Sequence, residues 1–95
     1  MKYDTMKLND YRDEVKEFLI KINALSKNRE QKLNWLEKEF NLLKLAIKNS
    51  DNNHISHQIY DMMYILFEIA ADNECNLDRE WVKGRQKKYN KYIIK

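Results

Sequence analysis

The sequence predicts an all-α fold, on three observations. The 95 residues contain no proline and a single glycine, so little interrupts a helix. Apolar residues recur at intervals of three and four through most of the chain, the period of an amphipathic helix. Leu, Lys, Glu, Ile and Asn are abundant, a usage that suits helices better than a sheet.

In the first segment Leu8, Tyr11, Val15, Phe18, Leu19, Ile22 and Leu25 follow helical spacing, with Thr5 or Asn9 placed to cap the start and Ser26 near the end. A polar stretch, residues 26–30, precedes a second helix carrying Leu33, Leu36, Phe40, Leu43 and Ile47, which Leu42, Leu45 and Ala46 widen toward its end. The run 49–53, rich in Asn with Asp and Ser, reads as a loop because these side chains compete with the helix for backbone groups. The third helix spans about Ile55 to Ala71 and is apolar around most of its circumference, which predicts a central or interfacial position. Residues 73–76 break the pattern. Asp78 can then cap a fourth helix in which Trp81, Val82, Arg85, Tyr89 and Tyr92 or Ile93 recur.

A chain of this length forms one domain, residues 1–95, with little stability to spare, and self-association is a natural remedy. One cysteine, Cys75, cannot form an internal disulfide. The start lacks the series of a signal peptide and no apolar run approaches the ~20 residues of a membrane span. A cytoplasmic protein without a membrane partner is expected. The net charge of +3 conceals a basic C-terminal stretch with Lys83, Arg85, Lys87, Lys88, Lys91 and Lys95. That stretch is either a solvated face or a phosphate contact. Nucleic acid ranks below the other partners, since clustered positive charge is necessary for it but not specific.

At 100° per residue, His54, His57, Gln58, Asp61, Glu68 and Asp72 fall in one stripe of the third helix, within about 100°. On the second helix Glu39 lies in line with Trp35, Leu42, Leu43 and Ala46, whereas Glu37 shares the solvent side with Asn41, Lys44 and Lys48. A carboxylate on an apolar face costs several kcal/mol unless it is protonated, paired or metal-bound. If the two helices pack antiparallel, Glu39 and Asp61 face each other across the pair. They then form a hard oxygen site suited to Mg²⁺ or Mn²⁺, or each bonds a Lys, Arg or Tyr of a neighbouring helix. His54 and His57 are candidate nitrogen ligands or solvated and capping residues. The aromatics, Trp35, Tyr60, Tyr64, Phe67 and Trp81, stack a nucleobase or belong to a core or interface.

The order of these features resembles the MazG-like all-α nucleotide pyrophosphohydrolases. The residues that carry the resemblance are Glu39 to Ile47, then Gln58 to Phe67 with Asp61, Asn76-Leu77-Asp78, and Lys83 to Tyr89, within a likeness spanning roughly residues 6 to 93. It implies a four-helix protomer that associates into a helical-bundle dimer or a dimer of dimers. It also implies Mg²⁺, with Mn²⁺ as substitute, and cleavage of an NTP or dNTP to monophosphate and pyrophosphate. Glu39 and Asp61 match the acidic, catalytic positions, with Gln58 and His57 as further metal ligands and Lys87 and Lys88 as substrate-binding residues. Leu42 and Gln58 stand where that family's motif has glutamates. Leu42 cannot ligate, and an amide oxygen donates less charge than a carboxylate to a hard cation. The resemblance therefore implies a nucleotide binder with weak or lost hydrolysis. The alternative is a catalytically inactive helical interaction protein that binds a macromolecule through its dimer surface or former pocket.

Overall fold

The computed structural model describes residues 5–94 and is helical, with α1 (Leu8–Lys21), α2 (Arg29–Lys48), α3 (Asn52–Asp72) and α4 (Leu77–Tyr92). Helix α3 packs between α1 and α2, and α4 rests on α1. No described helix is long and apolar enough to cross a membrane.

The first helix stops five residues earlier than its apolar periodicity predicts, at Lys21 rather than Ser26. Asn23 turns left-handed, with φ 57°, and the Ala24 amide donates to the Leu19 carbonyl over 2.8 Å, closing the helix end. Ser50 and Glu74 close α2 and α3 in the same way, with φ of 54° and 52°. Asp51 N–H reaches the Ala46 carbonyl and Cys75 N–H the Ala70 carbonyl. Three helices thus end on left-handed residues other than glycine.

The helix starts also differ from expectation. Lys7, not Thr5 or Asn9, is the N-cap of α1, with its amide donating to Asp10 Oδ2 at 2.8 Å. The loop before α3 shortens because Asp51 caps the helix at Asn52, accepting from the His54 amide. Asn76 rather than Asp78 caps α4, accepting from the Arg79 amide at 3.0 Å. Asp78 instead accepts from the Leu8 amide at 3.0 Å, while Asn9 Oδ1 accepts from the Leu77 amide at 2.8 Å. The starts of α1 and α4 thereby satisfy each other's free N–H groups, which sets where α4 leaves the body. Arg12 adds a bond from Nη1 to the Cys75 carbonyl at 2.6 Å.

The core is small. Val15, Leu19 and Ala71 form its centre, with Ala24, Leu25, Tyr64 and Phe67 against it. Beside it the side chains of Lys32 and Asp72 make an ion pair of 2.6 Å, each only 2% exposed. Lys32 Nζ also donates to the Ala24 carbonyl at 3.1 Å, and Asp72 Oδ1 accepts from the Ser26 amide at 2.7 Å. The pair therefore ties the α1–α2 connection and the start of α2 to the end of α3.

Much of the apolar surface stays outside. Leu33, Trp35, Phe40 and Leu45 of α2, Ile59, Met63 and Leu66 of α3, and Trp81 and Tyr89 of α4 are all exposed. The accessible surface is 7814 Å² for 11.7 kDa, against about 5,900 Å² for a folded monomer of that mass. The radius of gyration is 15.6 Å, where a compact chain of this length gives about 12 Å.

Removing one partner of a buried ion pair leaves a charge unpaired, at about 3–5 kcal/mol. Lys32→Met should therefore lose about that much stability in urea titration, whereas Lys32→Met with Asp72→Leu should lose less. A loss below about 1 kcal/mol for the single variant would show that the pair does not hold the fold.

Candidate functional site

The inner stripes of α2 and α3 can be read from burial. On α2, Lys32, Leu36, Glu39, Leu43 and Ala46 recur at i, i+4, i+7, i+11 and i+14, and all five are buried or half-buried. Trp35 and Leu42, expected beside Glu39, are exposed instead. On α3 the matching stripe is Gln58, Asp61, Ile65, Glu68 and Asp72, again buried or half-buried. The Lys32–Asp72 pair fixes one end of the antiparallel helix pair and the Ala46–Asp51 turn fixes the other. Counted at equal rise from either end, Glu39 falls level with the stretch of α3 from Gln58 to Ile65, which holds Asp61. Gln58 is about one turn nearer the α2–α3 loop than Asp61.

This crossing is poor in cations. Glu39, Asp61, Glu68 and Asp72 belong to the two stripes, and Lys32 is the one Lys or Arg among their residues. Lys32 is committed to Asp72. Glu39 Oε2 and Gln58 Oε1 are buried without a hydrogen-bond partner among the described residues. Each such acceptor costs about 1–3 kcal/mol, and both call for a donor or a cation.

Asp61 is partly engaged by its own helix, since His57 Nε2 lies 3.1 Å from its Oδ2. His57 is exposed, one turn along α3. His54 pairs with Asp51 at the helix start, and its hydrogen bonds hold the Asp51 carboxyl below the ordinary aspartate value. The stripe of acids and imidazoles predicted on α3 is therefore divided. His57, Gln58 and Asp61 sit toward its start, and Glu68 and Asp72 lie by Lys32 at its end. Lys87 and Lys88 are exposed on α4, which packs on α1 rather than over the α2–α3 crossing.

Burial pushes the Glu68 carboxyl above its ordinary value, Lys32 opposes the shift and Asp72 adds to it. Lys32 is the residue that the sequence reading passed over. Its signal was its place on the Leu36–Glu39–Leu43–Ala46 stripe, where a lysine requires an acidic partner.

The donor set fits a divalent cation only in part. Glu39 and Asp61 supply carboxylate oxygens and Gln58 a neutral one, where a tight site uses more anionic ligands. Among the described residues, no group of three or more His, Cys, Asp and Glu is placed to hold a metal ion. No known family model, curated protein or solved structure matches this chain.

Glu68 binds its proton more tightly in the folded chain than in the unfolded one, whose value is 4.5. Its contribution to stability is thus fully present below pH 4.5 and lost as the pH rises through the elevated folded value. Glu68→Gln should be more stable than the parent at pH 7, and the gain should vanish by pH 4. Thermal unfolding of both proteins across that range checks the sign.

Proposed function

We propose that the chain is a self-associating MazG-like nucleotide-binding protein whose metal site is eroded, so that hydrolysis of nucleoside triphosphates to monophosphate and pyrophosphate is weak or lost. The observation that carries this reading is the pair of unpartnered buried acceptors, Glu39 Oε2 and Gln58 Oε1, in an acid-rich crossing of α2 and α3. A second support is the surface left uncovered by the protomer, about 1,900 Å² beyond that of a folded monomer of this mass.

In this reading Glu39, Gln58 and the remaining oxygen of Asp61 hold Mg²⁺ or Mn²⁺ weakly. A bound divalent ion of this kind clamps phosphate oxygens and polarises water. His57 orients the Asp61 carboxylate and shields part of its charge. Gln58 leaves the site one negative charge short, and Leu42, turned outward, adds no oxygen. The reading assigns Lys87 and Lys88 no role at this crossing, because α4 is packed elsewhere.

A second reading is a helical interaction protein without catalysis. It is favoured by the exposed Trp35, Phe40, Ile59 and Met63 on the same two helices, an amount of apolar surface that a partner would cover.

Calorimetric titration with an NTP and Mn²⁺ separates the two. The first reading predicts weak binding that Asp61→Asn lowers at least about tenfold, with little or no pyrophosphate released. Gln58→Glu should strengthen the ion's binding by restoring a charge. No metal-dependent nucleotide binding by either protein would leave the second reading.

A further inference from the structure

Helix α4 has features that the α2–α3 crossing does not use. It buries none of its residues. Trp81, Arg85, Lys88 and Tyr92 recur at i, i+4, i+7 and i+11, which puts them in a sector of about 60°. Tyr89 borders that sector on one side and Gly84 on the other. Trp81 is 62% exposed and Tyr89 51%. At Gly84 the helix carries no side chain, and nothing would lie within 4 Å of a Cβ placed there. The resulting shallow depression of about 520 Å³ is lined by Trp81, Gly84, Arg85, Lys88, Tyr89 and Tyr92, with Glu80 at its rim tied to Lys83 at 3.5 Å.

The charge along the chain is strongly divided. All 15 Asp and Glu precede Trp81, and from there on the ionisable side chains are cations and tyrosines. Lys83, Lys87 and Lys91, at i, i+4 and i+8, form a second row centred about 130° around the helix from the aromatic one. Beyond Glu80 the helix carries no acid to set against a second basic surface. Lysine is also depleted in the cores of protein interfaces.

We propose that this face of α4 binds single-stranded nucleic acid. Trp81 and Tyr89, about 12 Å apart along the helix by its rise, offer ring faces to unstacked bases. Arg85 and Lys88 lie between and beside them for the intervening phosphates, and the Gly84 depression admits a base against the helix backbone. The Tyr92 ring already carries the Lys91 ammonium 5.3 Å from its centre, so it borders the site rather than stacking. Duplex binds less well, because its bases are not free to stack on protein rings.

The test is fluorescence anisotropy of a labelled 12-nucleotide oligothymidylate with the full chain, beside a duplex of equal length. Single-strand affinity should exceed duplex affinity and fall about tenfold or more between 50 and 200 mM salt. Trp81→Ala and Arg85→Ala with Lys88→Ala should each weaken it at least about fivefold without changing the helical circular dichroism, since none of the three is buried. Trp81→Phe should retain binding if stacking is the contact. Equal affinity for duplex, or unaltered binding by Trp81→Ala, would overturn the proposal. So would a change of oligomeric state in Trp81→Ala without any nucleic acid, which would make the face a contact between copies.

Discussion

Lys32 reaches from the first turns of α2 to the last turn of α3, and the rest of the fold is arranged around that contact. The buried pair sets the register of the α2–α3 hairpin, because a lysine and an aspartate in apolar surroundings have one low-energy arrangement together and none apart. Ala24 and Ser26, on the connection from α1, satisfy the remaining donor and acceptor capacity. Along that connection Asn23, Ser26 and Asn28 take left-handed backbone angles. With the hairpin register fixed, Glu39 and Gln58 fall on the inner stripes and their outer oxygens are left without donors. The candidate site and the structural ion pair are two ends of one acidic seam.

The small core has a second consequence. Val15, Leu19 and Ala71 are nearly inaccessible, yet large side chains on every helix remain open to solvent. Helices α2 and α3 expose large apolar side chains, Trp35, Phe40, Ile59 and Met63 among them, whereas α4 beyond Glu80 is aromatic and cationic. These two sets of side chains differ in chemistry, which is the physical ground for proposing an apolar partner, a second copy in the first reading, for one and a polyanion for the other.

Periodicity made the four helices legible because each has an apolar stripe long enough to outweigh local noise. The boundaries were less so. Apolar Ile22 and Leu25 continue the spacing of α1, but Asn23 turns left-handed between them and the Ala24 amide closes the helix on the Leu19 carbonyl. Asp78 has the chemistry of a cap and serves α1 rather than its own helix, a choice decided by which amides lie nearby. Within the site, Glu39 and Asp61 stood out as acids on apolar faces. On the inner stripe of α2, Glu39 has Lys32 and Leu36 before it rather than Trp35, and Leu42 is exposed, because in a helix that is apolar on several sides the sequence does not say which side meets its own chain.

Sedimentation velocity of the purified chain across a range from about 1 to 100 μM tests the account most directly, since interfaces that cover this much apolar surface hold obligate assemblies together. A dimer or tetramer that persists at the lowest concentration is the predicted result. A monomer of 11.7 kDa throughout the range would contradict it, leaving the exposed apolar side chains of α2 and α3 without the second copy proposed to cover them.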